Sequence, residues 1–314
     1  GAFAIQEIKK HSLICRDTCI TSTLTRSEND KNCLFCFSKA KNQVFCICGA
    51  KYCSAQCKSL DFKDHQNECV ILINISDKPS NPVTRLCLRL IANGNYAMLR
   101  EFMPGSQFPT ERLSYFSSMT AIFLKYNPDL RKRVGPEAVL QLQKVPFLQI
   151  TGTDSENNPI GSCIMKEISF CNHSCIPNAE VIFITPQNIR LIAIRNIAVG
   201  EEITIDYCGS TDCNQSRQKM LRENWLFDCH CEKCTSAKTV VSNEGYSVIK
   251  ELENLDSKII NESDVQTKLK YAEHAFELSK AVYGAEHIGT QNRYLNYMQL
   301  LEGSSDLIRS AREP

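Results

Sequence analysis

The chain of 314 residues has almost no net charge: 36 Lys and Arg stand against 35 Asp and Glu, a formal +1. Affinity for nucleic acid through bulk basic charge scales with the phosphates neutralised, so DNA is not expected as a main ligand. No stretch of about 18 apolar residues is present, so no membrane span is expected. Gly1 to Lys10 lacks the apolar segment of a secretory signal. A reducing compartment, cytoplasm or nucleus, is therefore expected. Hydrophobic residues make up 43%, enough for a sizeable core, and the length suits two or three domains.

Cysteine is what the chain has in abundance, with 18 residues. Short spacings such as C-x2-C, C-x-C and H-x3-C suit thiolates and imidazole converging on one ion rather than disulfides. The first block reads Cys33-x2-Cys36, Cys46-x-Cys48, Cys53-x3-Cys57, His65-x3-Cys69. Sequential pairing would make two loops with almost no core between them. Interleaving is favoured: Cys33, Cys36, Cys53 and Cys57 on one zinc, and Cys46, Cys48, His65 and Cys69 on another. Apolar residues look sparse here, so metal is expected to replace a core. The second block, Cys229-x-Cys231-x2-Cys234, is one ligand short. A fourth thiolate, Cys175, lies in Asn172-His173-Ser174-Cys175-Ile176-Pro177-Asn178. Three zinc ions per chain are expected. Cys15, Cys19, Cys87, Cys163, Cys171, Cys208 and Cys213 read as ordinary small hydrophobes.

Periodicity sets the texture around these blocks. Residues 1–20 read as strand-like and residues 21–32 as a polar linker. Residues 81–143 read as helical, with Met119, Ile122, Phe123 and Tyr126 on one face, a stop at Pro128 and a break at Gly135-Pro136. Arg131-Lys132-Arg133 reads as a solvated helix end. Val181–Ile184 and Ile189–Ala193 flank Pro186-Gln187-Asn188 as a hairpin, and Ile203–Tyr207 is a strand. Lys268–Val282 and Thr290–Leu301 read as an antiparallel helix pair joined through Gly284 to His287.

These segments carry a family resemblance. Residues 33–69 resemble a MYND zinc finger. Asn172-His173-Ser174-Cys175-x-Pro177-Asn178 and Gly200-Glu201-Glu202-Ile203-Thr204-Ile205-Asp206-Tyr207 resemble the two signature segments of a SET domain. Cys229-x-Cys231-x2-Cys234 looks like the post-SET zinc loop. The order is similar to the SET-and-MYND (SMYD-type) protein-lysine methyltransferases. The resemblance implies an α+β fold divided as follows: residues 1–28, the first part of SET; 29–72, MYND; 73–144, a helical insert; 145–210, core SET; 211–240, post-SET; and 241–314, a tetratricopeptide-like helical region.

The resemblance also implies the site. S-adenosylmethionine would be held by Asn172 and His173, the latter largely through backbone. Ser169 and Cys171 would line the pocket through backbone atoms, Phe227 would stack on the adenine, and Trp225 would help wall it. Tyr207 would be the active-site tyrosine. Cys175 would complete the third zinc with Cys229, Cys231 and Cys234. Partners implied are a protein substrate with a target lysine, histone or not, and a proline-rich peptide at the MYND block, with the chain a monomer. The chain departs from the family pattern at Gly1-Ala2-Phe3-Ala4 and at Gly161-Ser162-Cys163-Ile164-Met165. Those departures leave an alternative in view: a catalytically weak scaffold that binds partner proteins in transcriptional regulation. Glu201 and Glu202 read as turn and surface residues rather than acid or base.

Overall fold

The computed structural model describes residues 1–40, 43–75, 81–102, 108, 110–132, 134–135, 137–154, 158–208, 214–235, 247–285 and 288–310. Cys213, Arg133, Pro136, Glu286 and His287 lie outside them. In chain order the strands are β1 (Ala2–Phe3), β2 (Leu13–Asp17), β3 (Cys19–Leu24), β4 (Val44–Phe45), β5 (Lys51–Tyr52), β6 (Gln149–Thr153), β7 (Pro159–Met165), β8 (Asn172–His173), β9 (Ala179–Thr185), β10 (Asn188–Ala193) and β11 (Glu202–Ile205). The helices are α1 (Ala55–Asn74), α2 (Pro82–Asn93), α3 (Thr110–Tyr126), α4 (Glu137–Leu142), α5 (Val145–Leu148), α6 (Asn214–Trp225), α7 (Glu232–Thr235), α8 (Val248–Asn261), α9 (Val265–Tyr283) and α10 (Ile288–Ser310). The chain divides into two units: Gly1–Arg16, Cys171–Ile182 and Arg190–Pro314 form one, and Asp17–Phe170 with Phe183–Ile189 the other. No described helix is long and apolar enough to cross a membrane.

The Asp17–Phe170 unit is built around α2. Asn81 caps its start by accepting the Val83 amide at 2.8 Å, Pro82 takes the first turn where no N–H is needed, and Gly94 ends it in the left-handed region at φ 74. Arg85 through Ala92 are all buried, so this helix is covered on every side. Its Leu86, Leu88, Leu90 and Ile91 meet Ile71 and Leu72 of α1, Phe116, Met119 and Phe123 of α3, and Ile164 of β7 in one core. Each such side chain stabilises the fold by about 1.5–3 kcal/mol.

Two expectations need correction here. Residues 21–24 are not linker: Thr21–Leu24 pair with Gly161–Ile164 in the β3–β7–β6 sheet and are buried. Their hydroxyls hid a strand whose backbone bonds are met by the sheet. Nor does metal stand alone for a core in residues 33–69. Cys33, Leu34 and Tyr52 form a buried cluster, and Cys48, between β4 and β5, and Cys69 of α1 belong to the large core.

In the other unit, β11 is the middle strand of β1–β11–β8. β1 runs antiparallel to it, Ala2 opposite Ile203, and β8 runs parallel, with Thr204 opposite Asn172 and Ile205 opposite His173. Gly200, at φ 78, makes the turn into β11 and donates to the Ala4 carbonyl at 2.7 Å. Among the described residues of the helical region, α8 precedes the α9–α10 pair. Val248, Leu252, Leu255 and Ile259 are the buried stripe of α8, and α9 packs against both α8 and α10. The Glu180 carboxylate starts α8 by accepting from the Ser247 hydroxyl at 2.6 Å and the Val248 amide at 2.7 Å.

Candidate functional site

Helix α1 explains how one metal cluster forms. Ser54 caps it by accepting the Cys57 amide at 3.1 Å, and its i, i+4 spacing turns Asp61, His65 and Cys69 inward together. Donor atoms of Cys46, Cys48, His65 and Cys69 converge, as do those of Cys33, Cys36, Cys53 and Cys57. The interleaved grouping is thus the one the structure brings together. Sulfur separations are 3.7 Å for Cys36–Cys53, 3.5 Å for Cys53–Cys57 and 3.4 Å for Cys46–Cys69, and Cys48 Sγ lies 3.3 Å from His65 Nε2. A tetrahedron with Zn–S bonds of about 2.3 Å has S–S edges of about 3.8 Å, whereas a disulfide is about 2.05 Å. Both donor sets fit a zinc ion and neither fits a bridge. The hydrogen bond between Cys33 and Cys36, foremost, pulls the Cys36 thiol down and pushes the Cys33 thiol up, so one thiol of the pair is favoured as the thiolate.

Behind His65 stands a buried ion network that spacing could not show. Glu68 is fully buried and paired with Arg85 and Arg89, and the Arg89 Nε is 3.1 Å from its Oε2. Arg89 also pairs with Asp61 at 2.5 Å and donates to the Ser22 carbonyl at 3.1 Å. Tyr52 donates to Asp61 at 2.8 Å. Glu68 Oε1 lies 3.5 Å from His65 Nδ1. Two arginines in one i, i+4 register of an otherwise apolar helix were the available signal.

The third cluster belongs to the other unit. Cys175, Cys229, Cys231 and Cys234 converge, with Cys175 Sγ at 3.9 Å from Cys229 and 3.5 Å from Cys234. These edges fit the same tetrahedron, so this set too suits zinc. Arg217, buried on α6, points its guanidinium at Cys234 Sγ, 3.9 Å away.

Around this cluster the remaining candidates gather. The Tyr207 hydroxyl donates to the Cys171 carbonyl at 2.6 Å. Burial, foremost, then Cys171 and Glu202 push this phenol up to about 12, so it is neutral at ordinary pH. Trp225 lies 5.2 Å from the Tyr207 ring, His173 5.2 Å from the same ring and 6.1 Å from Phe227. Trp225 and Phe227 are half-buried. The Asn172 amide donates to Glu202 Oε1 at 2.7 Å. The ends of the Glu202 and Asn172 side chains lie against Gly1. Asn178, buried, ties the two signature segments: it donates to Glu201 Oε1 at 3.1 Å and the Glu202 carbonyl at 2.8 Å, and accepts the Thr204 amide at 2.8 Å. Ser169 falls in the other unit, its hydroxyl donating to the Met165 carbonyl at 2.8 Å.

One further grouping carries no metal or nucleophile chemistry. His173 Nδ1 is 3.6 Å from Asp206, and Cys208 is near both. Burial, foremost, drops His173 to about 4, so no ion pair with Asp206 exists at neutral pH. The Cys208 thiol is pushed up to about 12, again by burial first, which is no nucleophile. Cys87, Cys163 and Cys171 are buried, as expected of small hydrophobes.

The SET domain family model matches residues 1–208 of this chain. The chain is similar to human "Histone-lysine N-methyltransferase SMYD3", at 26% identity over 259 residues, covering 74% of this chain and 58% of that protein. It is also similar to "N-lysine methyltransferase SMYD2" of Bos taurus, at 27% over 255 residues, covering 75% and 58%. To "Histone-lysine N-methyltransferase ASHR1" of Arabidopsis thaliana the identity is 26% over 233 residues, covering 67% and 47%. The match spans less than two thirds of the length of each of these relatives.

Proposed function

The chain belongs to the SET-domain family, and from that premise we propose that it is a SMYD-type enzyme that moves a methyl group from S-adenosylmethionine to a lysine side chain of a protein. The observation that carries this reading is the parallel pairing of β8 with β11. It sets Asn172 and His173 beside Thr204 and Ile205, with Tyr207 two residues on.

S-adenosylmethionine, when bound, supplies an electrophilic methyl group on a sulfonium. The residues present fit it. The Asn172 NH2 faces a carboxylate, which only accepts, so its oxygen is left to accept from the cofactor. The half-buried Phe227, near His173, would stack on the adenine, with Trp225 and Tyr207 paired in the same cluster. Deprotonating a free lysine near pH 7.4 costs about 4 kcal/mol. Aromatic walls disfavour the ammonium and lower that cost. The Tyr207 hydroxyl spends its proton on Cys171, so its oxygen is turned to orient the amine or the methyl group and not to take a proton. The rate then comes mainly from positioning. The three donor sets would hold structural zinc, four ligands each and no open position.

The zinc block also supports a second, compatible role in partner binding. Phe45, Ile47, Leu60 and Phe62 are more than half exposed on it, which suits a proline-rich peptide. Action as a monomer in cytoplasm or nucleus completes the proposal. The test is transfer of radiolabelled methyl from S-adenosylmethionine to a pool of lysine-containing proteins, alongside calorimetry of cofactor binding. Cofactor binding without transfer to any protein would favour the scaffold; neither binding nor transfer would remove the enzyme reading.

A further inference from the structure

We propose that the His173 imidazole is a positioning residue that joins the third metal cluster to the backbone of Tyr207, donating through Nε2–H to Cys175 and accepting through Nδ1 from the Tyr207 amide. The tautomer follows from the partners. A peptide N–H can only donate, and the Tyr207 amide lies 3.0 Å from Nδ1. Nδ1 therefore presents its lone pair, and the proton of the neutral ring sits on Nε2. That nitrogen is 3.2 Å from Cys175 Sγ. The side chain has no solvent exposure, so water does not compete for either end. The same lone-pair count removes a metal site on His173, Asp206 and Cys208, because Nδ1 is already used.

The consequence is a rigid strut. Cys175 is one corner of the four-thiol cluster. The far end holds the Tyr207 amide, while the Tyr207 hydroxyl is held on the Cys171 carbonyl at 2.6 Å. The tyrosine is thus fixed at both its backbone and its tip. A planar ring carrying one donor and one acceptor at a set separation serves both partners; an amide side chain reaches one or the other. The donor has a second use. Four thiolates around one zinc ion leave a net charge of about −2. Donors aimed at the sulfurs offset it, and His173 and Arg217 are two such donors.

The metal half of this proposal is independent of methyl transfer; only its effect on Tyr207 rests on the proposed function. Two substitutions separate the ends. In His173→Asn the amide oxygen takes the place of Nδ1 and keeps the Tyr207 contact, but Cys175 loses its donor. In His173→Gln the amide nitrogen takes the place of Nε2 and keeps Cys175, but the Tyr207 amide loses its acceptor. Zinc competition with a chromophoric chelator on the full chain should show third-site affinity weakened roughly 10–100-fold in His173→Asn, and little changed in His173→Gln. Amide exchange at Tyr207 should accelerate in His173→Gln and stay slow in His173→Asn. Equal losses in both variants, or a third site in His173→Asn as tight as wild type, would overturn the proposal. If neither variant folds, side-chain nitrogen chemical shifts of wild-type His173 decide it. The Nε2–H form with an unprotonated Nδ1 is expected, and the Nδ1–H form overturns the assignment whether or not the chain methylates anything.

Discussion

The Cys33–Cys69 block and the Cys175–Cys234 cluster use the same donors and lean on different supports. In the block, helix α1 carries Cys57, His65 and Cys69, and also carries Asp61 and Glu68 into an ion network and Ile71 and Leu72 into a large core. The Cys175 cluster draws on segments 54 residues apart, and among the described residues its buried apolar members are Cys175, Leu221 and Cys229. A metal in the first region adds to a fold already held by apolar burial. In the second, the Cys229–Cys234 loop is held to α6 by the two Gln218–Cys229 hydrogen bonds and the Arg222–Asp228 pair, and a metal would be what joins it to Cys175.

Removing one ligand should therefore expose the largest difference. Structural zinc contributes on the order of 10–16 kcal/mol in small modules. With three donor sets, Cys175→Ser should lower the zinc content from three ions to two. Calorimetry should then show S-adenosylmethionine affinity down by about tenfold or more, the order of loss when a supporting shell is removed. Helical circular dichroism should stay near wild type. Lost zinc with unchanged cofactor affinity would break the comparison, since the cluster would then be tying nothing of use.

The next effect lies at Tyr207, packed beside that cluster. Tyr207→Phe removes the oxygen bound to the Cys171 carbonyl and keeps the ring against Trp225. Turnover should fall by about 10²–10⁴-fold, typical of one positioned group, with zinc content and cofactor affinity close to wild type. Because the phenol is held up at about 12, foremost by burial, it stays protonated through neutral and mildly alkaline pH. The pH–rate curves of wild type and Tyr207→Phe should accordingly rise in parallel. A limb present only in wild type would make Tyr207 a base and contradict the orienting role.

In the block, the ion network is the place to press. Glu68→Gln leaves Arg85 and Arg89 buried with one carboxylate fewer. Breaking a buried pair from one side costs about 3–5 kcal/mol, and the retained amide brings the expectation to about 3 kcal/mol. Urea unfolding at unchanged zinc content measures it. A loss below about 1 kcal/mol, the scale of an exposed pair, would mean the arginines find solvent and the core alone supports the block.

How far each region could be read from sequence follows the same division. Ligand spacing is local chemistry, so the donor sets and their interleaving were visible in Cys33–Cys69 and Cys229–Cys234. Apolar stripes such as Val248, Leu252, Leu255 and Ile259 of α8 were present but lay in a stretch read only as generally helical. What stayed hidden depends on pairing between distant segments. β8 beside β11 has no local signature, so the exposed Asn172–Glu202 hydrogen bond at 2.7 Å has no counterpart in the spacing. The contacts of the His173 side chain with Cys175 and Tyr207 likewise have no signature in the motif. Thr21–Leu24 read as linker because hydroxyls mask a strand whose burial is decided by β7.

The smallest prediction concerns the hinge between Trp225 and Phe227. Leu226 ends α6 with φ 62, a left-handed conformation that an L side chain pays for and glycine does not. The strain is about 1–2 kcal/mol, and glycine returns about 0.5–1 kcal/mol of it as unfolded-state entropy. Leu226 is 42% exposed, so its own burial contributes little in return. Leu226→Gly should therefore stabilise the chain by roughly 0.5–1 kcal/mol in urea unfolding. Trp225 and Phe227 flank this residue and face Tyr207 and His173 respectively. A looser joint between them should lower cofactor affinity a few-fold even as stability rises. Stability and affinity moving in opposite directions would mark Leu226 as strain kept for the site. Destabilisation by more than about 1 kcal/mol, the scale of a lost packed side chain, would show instead that the leucine is held by packing, and that the Cys175 region has more support than its metal.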